Sequence, residues 1–131
     1  MKHPDRNTLI TAFALTACAA TAHAVPIERR DYVIGNPADL PCSIRVEFIR
    51  AAKGPDYTAW DAMRSYIVDS RDIQRAEAWG WRIDGEFILC LQIEEPEAVN
   101  AVFSDLSKLV PKTPANDVGP TIISLGKQAT R

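Results

Sequence analysis

The chain has 131 residues, with 15 Lys+Arg against 17 Asp+Glu and a formal net charge of −2. The charges are interspersed and form no basic stripe, which argues against a nucleic-acid partner, because that partner needs clustered cations. The only two histidines, His3 and His23, fall within the first 24 residues; in the remainder, a histidine general base, a Ser-His-Asp or Cys-His arrangement and the usual zinc sites are excluded.

Met1 to Asn7 carries Lys2, Arg6 and Asp5, and Thr8 to Thr21 is uncharged and mostly apolar. Ala22-His23-Ala24 then offers small residues at the −3 and −1 positions of a cleavage after Ala24. This layout predicts a cleavable export signal over residues 1–24 and a periplasmic or secreted product. The apolar run is shorter than the roughly 20 residues that span a bilayer, and no transmembrane span is expected. A second reading stays open: Leu15-Thr16-Ala17-Cys18 resembles the lipobox of bacterial lipoproteins. That resemblance implies a lipid on Cys18 and a tether over residues 19–41. Cleavage after Ala24 leaves 13 Lys+Arg against 16 Asp+Glu, in one small domain.

Two cysteines follow, Cys42 and Cys90. An even count in an oxidising compartment predicts a disulfide between them. Its long closed loop stabilises the fold by on the order of 3–4 kcal/mol in the chain-entropy view. No Cys-x-x-Cys is present, so a thioredoxin-like redox role is not expected.

Residues 25–42, with Pro26, Pro37 and Pro41, read as an extended N-terminal segment with a short strand at Tyr32-Val33-Ile34. Ser43 to Arg50 alternates, with Ile44, Val46 and Phe48 on one side and Arg45 and Glu47 on the other, as in a half-buried strand. Tyr57 to Val68 has helical spacing behind an N-cap at Asp56. Ile73–Ile83 and Glu86–Ile93 form a hairpin around Asp84-Gly85, a two-residue type I′ turn that sets Arg82 opposite Phe87. Pro96 to Val110 is a second helix with Pro96 in its first turn. Thr121 to Leu125 is a last strand, and residues 127–131 form a tail.

Strand, helix, strand, strand, helix, strand over residues 43–126 is the ferredoxin-like split βαβ plan. The expected fold is α+β: a four-stranded antiparallel sheet in the order 4-1-3-2, with both helices on one face. The core is then Ile44, Val46, Phe48, Leu89, Leu91, Val102, Phe103 and Leu106 with Trp60 and Met63. The pleat sets Cys42 on the helix side and Cys90 on the other. The bond therefore requires Pro41-Cys42 to leave the regular strand, or a bulge to shift it.

The hairpin parity places Trp79, Trp81 and Ile88 on the sheet face away from the helices, among Arg45, Glu47, Arg75 and Glu77. Aromatic residues ringed by charge on a sheet face make a contact patch for a protein or cell-wall partner. Two alternatives compete with it: a three-residue turn would move both indoles into the core, and the N-terminal segment would cover the face. The acidic run Glu94-Glu95-Pro96-Glu97 is the other candidate, as a weak cation site or acid–base pair, though acidic residues also suit a helix start. The expected function is a non-enzymatic binding module of the cell envelope, with no cofactor implied. The rivals are a histidine-free, carboxylate-dependent hydrolase and a structural subunit of an envelope complex. No phosphate-binding glycine loop, nucleophile elbow or calcium-binding loop is present.

Overall fold

The computed structural model describes residues 25–30, 39–80 and 85–126. In chain order these form β1 (Ile27–Arg30), β2 (Ile44–Phe48), α1 (Tyr57–Asp69), β3 (Arg75–Gly80), β4 (Phe87–Gln92), α2 (Pro96–Ser107) and β5 (Thr121–Leu125). The five strands make one sheet in the order β1-β3-β4-β2-β5. All neighbours are antiparallel except β1 and β3, which run parallel.

The structure therefore corrects the expectation of a four-stranded, wholly antiparallel sheet. Strands β2 to β5 lie in the anticipated adjacency, and β1 adds a fifth strand beyond β3. That strand falls inside the segment read as extended, and the strand expected at Tyr32-Val33-Ile34 lies outside the described residues. The cause is local: β1 turns only one apolar residue, Ile27, toward the core, and Glu28, Arg29 and Arg30 are exposed. A lone apolar residue has no period to read.

The core forms where the periodicities converge. Ile44, Val46 and Phe48 of β2 are fully buried, on the same pleat side as their partners Leu91, Leu89 and Phe87 of β4. Ala59, Met63 and Ile67 of α1 and Val99, Val102 and Leu106 of α2 join them in one cluster, so both helices lie on this face. Each fully buried Leu, Ile or Met contributes about 1.5–3 kcal/mol relative to exposure. At one end Phe48 and Phe87 stack with centroids 4.5 Å apart, and Trp60 meets both edge-on at 5.7 and 5.1 Å. Tyr66 of α1 donates to Asp105 of α2 at 2.9 Å, which ties the two helices together.

Local chemistry sets the element ends. Asp56 caps α1 by accepting from the Ala59 N–H at 3.0 Å. Pro96 opens α2, where its missing N–H leaves nothing unsatisfied. At the tip of the hairpin Gly85 has φ +89°, a conformation that glycine adopts without strain. The register there differs from the two-residue reading: Gly80, not Arg82, lies opposite Phe87. The shift is two residues, so each side chain of β3 keeps its face.

Two further glycines bracket β5. A Cβ on Gly119 would overlap the carbonyl of Ile49, and one on Gly126 would overlap the carbonyl of Cys42. Both positions carry a main-chain contact to β2 or its flanks that only glycine allows.

Candidate functional site

The pleat assigns the other sheet face. One row runs Glu28, Glu77, Cys90, Arg45 and Ser124, and the next runs Arg30, Trp79, Ile88, Glu47 and Ile122. Trp79, Glu77, Arg75, Ile88, Arg45 and Glu47 thus share the face opposite the helices. Trp81 lies outside the described residues. The centre of the face is not open to water: Ile88 is fully buried, and Cys90 and Glu77 are nearly so. Ile88 and Glu77, both read as contact residues of this face, are therefore covered rather than exposed.

The disulfide explains part of this cover. Cys42 and Cys90 are bonded, and the parity conflict resolves because Cys42 lies ahead of β2. Its N–H bonds Leu40 O at 2.8 Å, while the Ser43 N–H has already joined Leu91 O at 2.7 Å. The chain leaves the pleat at Pro41-Cys42 and turns onto the Cys90 side. Gln92 Nε2 donates to Pro41 O and holds the segment there. Just inside, Ser43 Oγ accepts from the Ile93 N–H at 3.0 Å and donates to Ile93 O at 3.3 Å.

Between this segment and the strand rim lies a cleft of about 420 Å³, lined by Leu40, Pro41, Trp79, Arg30, Arg75, Glu77, Cys90 and Gln92. Trp79 is half-buried, and its indole Nε1 is buried with no hydrogen-bond partner among the described residues. The charges nearby are mutually committed. Arg30 meets Glu77 at 3.0 Å and Glu28 at 2.8 Å; Arg75 meets the same two carboxylates at 3.6 and 3.5 Å. Two cations and two anions close a ring across β1 and β3. The hydrogen bond to Glu77, reinforced by the nearby Glu28, raises the Arg30 pKa further and outweighs the opposing effect of burial. Glu77, with its side chain only 10 % exposed, would be costly to bury without these cations. Arg45 and Glu47 approach each other at 3.7 Å on β2.

The acidic run stands apart from this face. Glu94, Glu95 and Glu97 are all exposed around the start of α2, and the Glu95 side chain makes no capping bond. Among the described residues, no three His, Cys, Asp or Glu side chains gather as a metal-holding group. No helix among them is long and apolar enough to cross a membrane. Cys18 and the export-signal segment lie outside the described residues.

Sequence reasoning missed a second cleft, of about 720 Å³, on the helix side. Trp60, Phe87 and Ala78 floor it, and Tyr57, Arg64 and Arg29 stand around it. Its wall needs β1 beside β3, and that pairing has no sequence signal beyond Ile27.

No protein-family model, curated protein or solved structure matches the chain.

Proposed function

We propose that the chain is an exported, non-catalytic binding module that takes a protein or cell-wall partner at the cleft beside Trp79. The observation that carries this reading is the half-buried indole lining the cleft, whose enclosed N–H finds no acceptor among the described residues. A buried Trp N–H normally finds an acceptor. The ring lining the cleft supplies a flat apolar contact, and a carbonyl or sugar oxygen of the ligand becomes the acceptor of the N–H once the cleft wall shifts to uncover it on binding. The surrounding charge ring is self-neutralised, which favours a neutral polar ligand such as a peptide main chain or a glycan.

The fold reading that accompanies this is a ferredoxin-like core, β2 to β5 with the two helices, extended by β1. The first 24 residues and the Cys42–Cys90 bond support export, with release after Ala24 or a lipid on Cys18 as its two forms. The hydrolase alternative would rest on Glu94 and Glu97, which stand exposed at a helix start.

The test is co-sedimentation with insoluble peptidoglycan, together with capture of envelope proteins. Trp79→Ala should lose binding by about 30-fold or more, the scale of an interface hot spot. Trp79→Phe, which keeps a ring and removes the N–H, should lose less. Equal binding by all three proteins, with unchanged melting temperatures, sinks the reading. Mass spectrometry of the exported protein distinguishes a free Val25 N-terminus from a lipidated Cys18.

A further inference from the structure

The two edges of the sheet are unlike. The β1 edge carries Glu28, Arg29 and Arg30, charges that discourage another strand from pairing there. The β5 edge carries none: residues 118–126 form an uncharged run of nine. Two of the three exposed large apolar side chains among the described residues, Ile122 at 44 % and Leu125 at 43 %, sit on this one strand.

Among the described residues no strand pairs with β5 on its outer side. The Ile49 N–H bonds Pro120 O at 3.1 Å, and the Gly126 N–H bonds Ser43 O at 2.9 Å. With Arg45 opposite Ser124 and Glu47 opposite Ile122, the even-numbered residues of β5 point their N–H and C=O groups at β2. Thr121, Ile123 and Leu125 point theirs outward, where no described strand lies. An unprotected edge with such groups is a template for another strand.

We infer that β5 pairs with β5 of a second copy of this chain, antiparallel about a two-fold axis at Ile123. The register closes on itself. Ile123 meets Ile123 of the second copy, and Thr121 meets Leu125 of the second copy in both directions. These are hydrogen-bonded pairs built from the residues whose groups face outward. On one face Ile122 comes to lie opposite Ser124 of the second copy, and on the other Leu125 lies opposite Thr121. All four exposed apolar side chains then gain cover, and the two sheets become one of ten strands. A second copy suits this edge better than a charged peptide, because the edge offers no charge to recognise one. A five-residue seam is small, so the dimer is reversible. This inference is independent of the Trp79 reading.

Sedimentation velocity on the protein from about 10 μM to about 1 mM should show a monomer–dimer equilibrium, on the scale expected of a small interface. Ile122→Lys, and separately Leu125→Lys, should each shift the dissociation constant at least tenfold while leaving the circular dichroism spectrum intact. In the wild type, amide exchange at Thr121, Ile123 and Leu125 should slow with rising concentration. A monomer throughout this range overturns the inference. So does a dimer that survives both folded variants, or exchange at these three amides that ignores concentration.

Discussion

Removing the Cys42–Cys90 bond is the perturbation whose size follows most directly from the structure. The bonded residues are 48 apart in sequence. The loop-entropy relation for a closed loop of this length gives about 4 kcal/mol at 25 °C. A domain of this size has a total stability of roughly 5–15 kcal/mol, so the bond accounts for a large fraction of it. Both cysteines are buried, so Cys42→Ala with Cys90→Ala is a better test than serine, which would bury two hydroxyls. Urea unfolding of the double variant against the oxidised wild type should show a loss near 4 kcal/mol, and the melting temperature should fall by roughly 20 °C. The cleft should respond as well, because Leu40 and Pro41, which line it with Trp79, adjoin the disulfide and the Gln92–Pro41 hydrogen bond. A loss below about 1 kcal/mol would refute the entropic reasoning of the loop relation.

Asp56→Ala removes the carboxylate that accepts the Ala59 N–H and should lower stability by about 1 kcal/mol, read from the shift of the urea midpoint at unchanged slope. The Tyr66 phenol is pushed up to about 12, first by burial and then by its hydrogen bond to Asp105. Because the folded value is raised above the unfolded one, the stabilisation it reports is fully present below pH 10 and is lost as pH rises toward 12. Absorbance at 295 nm should show one tyrosine ionising near pH 12, and Tyr66→Phe should delete that step. Ionisation of every tyrosine near pH 10 in the folded protein would contradict the assignment.

The parts of this fold that were legible in the sequence are those where a period or a count speaks for itself. The alternation of Ile44, Val46 and Phe48 and the bounds of Thr121–Leu125 needed no partner to be seen. Trp79 could be placed on its face because hairpin parity survives a register error of two. The Cys42 conflict could be stated in advance because parity made the bond impossible within a regular strand, and the chain leaves the strand where that required. β1 was not legible: its ion pairs with Glu77 and Arg75 exist only once β3 lies beside it. The burial of Ile88 and Glu77 was likewise out of reach, since alternation assigns a face but not what lies over it. The cleft beside Trp79 joins residues some forty positions apart, and its shape depends on how Pro41 turns.

The bracketing of β5 by Gly119 and Gly126 bears on how the last strand finds its place. Sliding by one residue in either direction would push a side chain into a carbonyl flanking the strand beside it, at both ends together. The pair works as a mechanical detent. A one-residue slip would also turn Ile123 away from the core it packs against, so the missing methyl groups add a steric bar to the misaligned states.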